Sequence, residues 1–160
     1  MSLKTADLCD AHDDKLQVAE PIFADFGGEI EFHGRIHTLK LHEDNSLVRE
    51  ALEQAGDGRV LVIDGGGSLR CALVGGNLAV LGAKNGWAGI VVNGCIRDSE
   101  EIAAEAIGVK ALGSNPRKSV KRGVGQIGET VRFADVSFSP GHWLYADEDG
   151  LVVSAQKLHD

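Results

Sequence analysis

The chain has 160 residues, a formal net charge of −8 and a hydrophobic fraction of 43%. A chain of this length suits one domain with a substantial core, and we predict a single domain over residues 1–160 because no linker, repeat or low-complexity stretch interrupts it. The acidic balance argues against direct binding of nucleic acid or of an anionic membrane, because phosphate groups need a basic face.

Neither the beginning of the chain nor its cysteines point to secretion. The first residues lack the apolar region of a signal peptide, and no apolar run approaches the ~18 residues of a membrane span. Cys9, Cys71 and Cys95 are irregularly spaced, which indicates neither a disulfide framework nor a zinc site. A reducing cytoplasm is therefore the predicted location.

Before the middle of the chain, alternation over residues 29–36 predicts a strand with one solvent-exposed face. The alternation then changes phase toward Leu39 and Leu41, which suggests a bulge near His37 and Thr38.

Strands and helices alternate through the middle of the chain, which is typical of parallel βαβ units. The predicted helices cover 46–54, 77–85 and 99–107, and the predicted strands cover 60–63, 89–92 and 109–112. Residues 130–138 and 145–153 have the pattern of further β-structure. We therefore predict an α/β fold with a mixed sheet, in which helices belong to the middle third and β-structure flanks it.

The candidate site combines a glycine turn with a cation and a carboxylate. Gly75, Gly76, Asn77 and Leu78 open a predicted helix, whose first N–H groups are free to bind an anion. Arg97 and Asp98 follow a predicted buried strand, where Arg97 can bind a carboxylate in bidentate fashion and Asp98 can bind a hard divalent cation. These are the groups needed to bind a 2-oxo acid and polarise its carbonyl.

Asp98 also has a purely structural interpretation. Glu101 follows it by the spacing of a capping box, and from the residues alone helix capping is favoured over metal binding. The two roles compete for the same oxygens without excluding each other.

Two other motifs favour structural interpretations. Residues 64–68, Asp-Gly-Gly-Gly-Ser, match neither G-x-G-x-x-G nor a P-loop, so a structural turn is favoured. The basic run 117–122 is favoured as a solvated loop, and the alternative is a rim that draws anionic substrates toward a site.

Four separated motifs resemble the RraA-like family. They are residues 64–73, 86–98, 115–123 and 145–150, and the resemblance covers essentially the whole chain. It implies a swivelling β/β/α domain assembled as a ring-shaped homotrimer, with sites between subunits. Some members are divalent-metal-dependent 4-hydroxy-4-methyl-2-oxoglutarate aldolases that also decarboxylate oxaloacetate, and others bind ribonuclease E and inhibit it without chemistry of their own.

The resemblance also assigns roles to residues. Gly75 to Leu78 match the substrate-binding turn, Arg97 matches the substrate-binding and catalytic arginine, and Asp98 matches the catalytic metal ligand for Mg²⁺ or Mn²⁺. Gly76 departs from the pattern, because many aldolase members have Asp or Glu there to position a water.

The resemblance leaves two functions open. The regulator of enteric bacteria lacks the Asp of the Arg-Asp pair, whereas this chain keeps Asp98. We therefore expect a lyase that cleaves 4-hydroxy-4-methyl-2-oxoglutarate to two pyruvates, with secondary oxaloacetate decarboxylase activity. The alternative is a non-catalytic protein-binding inhibitor of ribonuclease E.

Overall fold

The computed structural model describes residues 2–160. The helices are α1 (Thr5–His12), α2 (Ser46–Leu52), α3 (Gly76–Lys84) and α4 (Ser99–Ala103), with a short 3₁₀ turn at Asp13–Lys15. The strands are β1 (Leu16–Val18), β2 (Ala24–Asp25), β3 (Phe32–Lys40), β4 (Val60–Asp64), β5 (Ala72–Val74), β6 (Gly89–Ile96), β7 (Gly108–Ser114), β8 (Gln126–Ile127), β9 (Val131–Phe133), β10 (Val136–Phe138), β11 (Trp143–Asp147) and β12 (Gly150–Ser154).

One mixed sheet organises the chain in the order β1-β12-β11-β3-β4-β6-β7-β2. Its centre, β3-β4-β6-β7, is parallel, and β5 pairs with β6 in parallel as well. Antiparallel strands flank this centre, with β11, β12 and β1 on one side and β2 on the other. The predicted helices of the middle third, α2, α3 and α4, connect the parallel strands, and this confirms the predicted βαβ organisation.

Alternate residues of the parallel strand β4 are buried on opposite faces of the sheet. Along β4, Leu61 and Ile63 join the core formed with the three connecting helices. Val60 and Val62 join a second core, which packs against the β9–β10 hairpin. All of β4 is buried, because both faces of a parallel strand are covered.

β3 differs from the sequence prediction at both ends. It begins at Phe32 rather than at residue 29, and it continues to Lys40. The predicted bulge at His37 and Thr38 is wrong, because the pairing with β4 is regular from Ile36 opposite Val60 to Lys40 opposite Asp64. The phase change arises because Thr38 is buried beside Leu39, with its hydroxyl donating to the Glu129 carbonyl.

α4 is shorter than predicted, since it ends at Ala103 and is followed by a turn at residue 104 and bends at residues 105–107. The Glu105 carbonyl accepts hydrogen bonds from the amides of Gly28 and Ile107, so the chain leaves the helix before β7.

At the amino end of the parallel strands, the phenyl ring of Phe32 fills the space that side chains on β6 and β7 would otherwise occupy. Gly89 begins β6 and Gly108 begins β7, and the Phe32 ring lies against both. A Cβ on either glycine would overlap the ring. This end of the sheet is closed by packing.

Two features concern the environment of the chain. Within residues 2–160, no helix has the length and apolarity needed to cross a membrane. Cys9, Cys71 and Cys95 are free thiols, and burial raises the pKa of each of them.

Candidate active site

The predicted site residues come together at the carboxyl end of the parallel strands. β5 ends at Val74 and leads through Gly75 into α3, while β6 ends at Ile96 and is followed by Arg97 and Asp98. Parallel strands end at the same edge of a sheet, and ligands bind there in open α/β folds. A cavity of about 190 Å³ opens at this edge, lined by Asn45, Arg49, Ala72, Gly75, Asn77, Leu78, Arg97, Asp98, Lys118, Ser119 and Lys121.

The start of α3 presents free amides to this cavity. Gly75 is extended at the helix start and, as a glycine, supplies no capping side chain. Among residues 2–160, the N–H groups of Asn77 and Leu78 have no acceptor. Uncapped amides and the helix dipole favour an anion at this point.

Asp98 binds the start of α3 and does not cap its own helix. It lies in the left-handed region, with φ 59° and ψ 44°, and makes no capping hydrogen bond. Its Oδ2 instead accepts the Gly76 N–H at 2.9 Å. The predicted capping box with Glu101 is therefore wrong, and the left-handed backbone, which Asp tolerates better than most residues, turns the carboxylate back toward α3.

Gly75 lies in close contact with the Arg97 and Asp98 side chains. A Cβ at Gly75 would lie 3.0 Å from Asp98 Oδ2 and 3.7 Å from Arg97 Cγ. A larger residue would push the carboxylate away from the Gly76 amide. The glycine turn therefore positions Asp98 as well as freeing helix amides.

Gly76 does not itself line the cavity, and its amide is taken by Asp98. The Glu101 carboxylate occupies the space next to it, where a Cβ on Gly76 would overlap Glu101 Oε2. An acidic group therefore lies beside Gly76, although it belongs to α4.

Arg97 is half-buried and available to a ligand. Its guanidinium makes one long contact, 3.5 Å from Nη1 to the Pro116 carbonyl oxygen. Within residues 2–160 it forms no salt bridge. Its backbone N–H donates to Val74 O at 2.9 Å and so fixes the residue beside the glycine turn.

The cavity also contains cations that sequence reasoning left unassigned. Arg49 lies on α2, and Lys118 and Lys121 belong to residues 117–122, which we call the basic strap. Two lysines of the basic run therefore line the cavity, which agrees with the rim, the less favoured interpretation of the sequence. Arg49 gave no signal in the sequence, because only the folded chain brings α2 to the cavity.

The basic strap is fixed to the loop before α2 by hydrogen bonds. Asp44, which is 3% exposed, accepts the N–H groups of Arg122 and Val124 on Oδ2 at 2.8 and 3.1 Å. Its Oδ1 accepts from the amide and hydroxyl of Ser46 at 2.9 and 2.6 Å. The Asn45 N–H donates to the hydroxyl of buried Ser119 at 3.3 Å.

These hydrogen bonds control the ionisation of Asp44. Burial opposes the charged form, but the hydrogen bonds from Ser46, Val124 and Arg122 outweigh it and lower the pKa of the Asp44 carboxyl to about 2. Asp44 is therefore an ionised anchor for the basic strap at neutral pH.

The donor set suits a cation that keeps most of its water. Asp98 Oδ1 has no hydrogen-bond partner within residues 2–160, so one carboxylate oxygen is free at an exposed position. No group of three or more His, Cys, Asp or Glu residues in that range could enclose a metal. Mg²⁺ or Mn²⁺ with one protein carboxylate fits this set, because Mg²⁺ commonly binds through one or two carboxylates, substrate oxygens and water.

The triple-glycine loop after β4 is the predicted structural turn. Gly66 and Gly67 have φ values of +70° and +73°, which favour glycine. Asp64 Oδ1 holds the turn by accepting from the Gly66 amide at 3.0 Å and from Asn93 Nδ2 at 3.1 Å.

The chain matches a known family over most of its length. The RraA-like model, described as Aldolase/RraA, matches residues 5–153. A protein of Alkalilimnicola ehrlichii named "Putative 4-hydroxy-4-methyl-2-oxoglutarate aldolase" is 60% identical over 99% of this chain and 98% of its own. A protein of the same name from Aromatoleum aromaticum is 58% identical over 99% of both chains.

Two solved structures share the fold. A protein described as the RNA-processing inhibitor RraA from Thermus thermophilis superposes with a TM-score of 0.95 at 45% identity, covering 99% of this chain and 96% of its own. One from Geobacillus kaustophilus, described as an S-adenosylmethionine: 2-dimethylmenaquinone methyltransferase, also reaches 0.95, at 50% identity and 97% and 96% coverage. The predicted mixed α/β fold is confirmed, while the descriptions of these relatives differ in function.

Proposed function

This chain belongs to the RraA-like family, and we propose that it is a divalent-metal-dependent aldolase that cleaves 4-hydroxy-4-methyl-2-oxoglutarate to two pyruvates. The observation that carries the proposal is the meeting of three unsatisfied groups at one cavity. These are the guanidinium of Arg97, the free amides at the start of α3, and one free oxygen of Asp98.

Each group has a part in the proposed cleavage. Arg97 and the amides of Asn77 and Leu78 hold the carboxylate beside the 2-oxo group, and they orient the bond to be broken. Asp98 would hold the Mg²⁺ or Mn²⁺. When bound, this cation supplies Lewis-acid stabilisation of the negative charge that develops on the 2-oxo oxygen.

The cleavage also requires a base for the 4-hydroxyl proton. When the C3–C4 bond breaks, its electron pair passes into the enolate of the first pyruvate, and the hydroxyl carbon becomes the carbonyl of the second. Among residues 2–160, Asp98 is the one carboxylate that lines the cavity, and it is assigned to the cation. We propose that a carboxylate of a neighbouring subunit accepts the proton, in a homotrimer with sites between subunits.

Oxaloacetate decarboxylation is the proposed secondary reaction. Loss of CO₂ from oxaloacetate leaves the same pyruvate enolate, so the same contacts to Arg97, α3 and Asp98 serve both reactions. This reaction also provides a simple assay.

The competing proposal is a non-catalytic inhibitor of ribonuclease E. It is favoured by the likeness to the RNA-processing inhibitor RraA of Thermus thermophilis. The net charge of −8 suits contact with a basic protein segment. Binding of this kind would survive EDTA and Arg97→Ala and would weaken with salt, whereas the aldolase activity would be lost with either.

The deciding experiment measures pyruvate release from both substrates with Mg²⁺ and with EDTA. We expect metal-dependent turnover in the wild type and a loss of at least ~100-fold in kcat/KM in Asp98→Ala and Arg97→Ala, since each removes a charged contact to the reacting groups. Lys84→Gln, at the far end of α3, is the matched control and should retain activity.

Two results would count against the aldolase. Undiminished metal-dependent release by Asp98→Ala would refute its metal role. No turnover above the metal-only blank in the wild type would leave the inhibitor as the better proposal.

A further inference from the structure

We propose that Arg49, Lys118 and Lys121 form a subsite for the second carboxylate of the substrate, so that the cavity selects 2-oxo dicarboxylates over monocarboxylates of the same length. The inference rests on the proposed function, because it takes Arg97 and the start of α3 as the site of the first carboxylate. These three residues would bind the second carboxylate, whereas the glycine turn and Arg97 bind the first.

The charge balance of the cavity is opposite to that of the chain. The chain has 16 Lys and Arg residues against 24 Asp and Glu residues. The cavity nevertheless collects Arg49, Arg97, Lys118 and Lys121 against the single carboxylate of Asp98. A divalent cation on Asp98 would increase this excess further. One substrate carboxylate at Arg97 leaves the other three cations uncompensated, and a second carboxylate is the complementary group.

These cations are free of protein carboxylates. Within residues 2–160, no salt bridge involves Arg49, Lys118 or Lys121. Arg70 shows the contrast, since it lies in the neighbouring cavity and forms a bidentate pair with Glu43, with Nη2 to Oε1 at 2.6 Å. The chain neutralises that arginine and leaves the three cations of this cavity available.

The backbone that carries the two lysines is held in place. Ala72 N–H donates to Arg117 O at 2.7 Å and Val120 N–H donates to Glu43 O at 3.2 Å. Asp44 holds the amide of Arg122. Anchoring on both sides of Lys118 and Lys121 lowers the conformational cost of bringing their ammonium groups to a ligand.

The subsite has different consequences for the two reactions. In the aldol cleavage the second carboxylate stays on the departing pyruvate, so contacts to Arg49 and the lysines persist while the C3–C4 bond breaks. In oxaloacetate the second carboxylate is itself lost as CO₂, and cations that stabilise its charge oppose that loss. Neutralising the subsite should therefore damage the cleavage more than the decarboxylation.

The test compares two unreactive acids of equal length, 2-oxoglutarate and 2-oxopentanoate, by calorimetric titration with Mg²⁺ present. We expect the wild type to bind 2-oxoglutarate at least ~100-fold more tightly, since each charge-assisted contact is worth about 1.5 kcal/mol, or ~10-fold in affinity, and the subsite supplies more than one. Arg49→Gln should reduce this preference about tenfold, and Arg49→Gln/Lys118→Gln/Lys121→Gln should bring it close to one. The affinity for 2-oxopentanoate should not change.

Lys84→Gln is the matched control, because it removes one exposed positive charge at the far end of α3 and should keep the full preference. Equal binding of both acids by the wild type, with binding lost in Arg97→Ala, would overturn the subsite and leave the proposed function standing. A preference that survives in the triple variant would also overturn it. Binding of neither acid would contradict both proposals.

Discussion

The two ends of the parallel sheet use glycine for opposite purposes. At the carboxyl end, Gly75 makes room for the charged side chains of Arg97 and Asp98, and α3 begins with unsatisfied amides. At the amino end, Gly89 and Gly108 make room for the ring of Phe32. The same residue type therefore leaves one end of the sheet open to a ligand and closes the other by packing.

Because of this difference, the amino end of the strands contributes mainly to stability and the carboxyl end mainly to the candidate site. Space at the amino end is filled by an aromatic ring, so an added atom has no free volume to enter. Space at the carboxyl end borders a cavity and flexible charged side chains, so an added atom can displace them. Substitutions at the two ends should therefore differ in their effect on the free energy of unfolding.

Gly108→Ala should have the largest effect. The new Cβ would overlap the Phe32 ring, and overpacking of this kind costs about 3 kcal/mol. Gly113→Ala on the same strand is the control, because a Cβ there has no neighbour within 4 Å, and it should cost less than ~0.5 kcal/mol. Urea unfolding measures both. Equal stability of the two variants would show that the amino end is not closed by packing.

Asp44→Asn should have an intermediate effect that depends on pH. The pKa of Asp44 is lowered from 3.8 to about 2 in the folded chain, so its ionised form stabilises the fold above pH 4 and this stabilisation is lost as the pH falls toward 2. The variant should lose about 2 kcal/mol at pH 7 and show a flatter decline of stability between pH 4 and 2.

Unfolding of both proteins across this pH range is the measurement for Asp44→Asn. Asp135→Asn is the matched control, because it removes an exposed charge in a surface pair with Arg132 and should cost less than ~0.5 kcal/mol. If the stability of Asp44→Asn declined between pH 4 and 2 as steeply as that of the wild type, this would contradict the role of Asp44 as the anchor of the basic strap.

Gly76→Ala should have the smallest effect, below about 1 kcal/mol. Its Cβ would overlap the terminal carboxylate of Glu101, which can rotate away, and would lie 3.1 Å from the Glu101 Cβ, which needs only a small shift of α4. In a Glu101→Ala background the same change should become stabilising by about 0.5 kcal/mol, because alanine has the higher helix propensity. A double-mutant cycle on unfolding measures this. A cost that persists in the Glu101→Ala background would locate the strain in the backbone or in the contact with the Cβ of residue 101 instead.

The sequence predicts those parts of the site that follow directly from single strands. Gly75 to Leu78 and the Arg97–Asp98 pair come after buried strands, and the parallel arrangement brings both to one edge of the sheet. The cytoplasmic location, the homotrimer and the metal stay predictions.

The other residues of the candidate site are brought together by contacts between segments that are distant in the sequence. Arg49 and Lys121 share a cavity because contacts with distant segments, including those of Asp44, fix the basic strap. The role of Asp98 was harder to predict because its spacing to Glu101 is that of a capping box, and only the left-handed backbone conformation decides where its carboxylate goes.

The pairing of β3 has a consequence for synthesis of the chain on the ribosome. One edge of β3 is covered by β4, which follows soon after it, but the other edge pairs with β11 and β8 from the last third of the chain. The parallel strands that form the site can therefore assemble while this edge is still unpaired. Until the carboxyl-terminal segment emerges, the nascent chain has an unpaired strand edge. During this interval the chain is most exposed to aggregation and to chaperone binding.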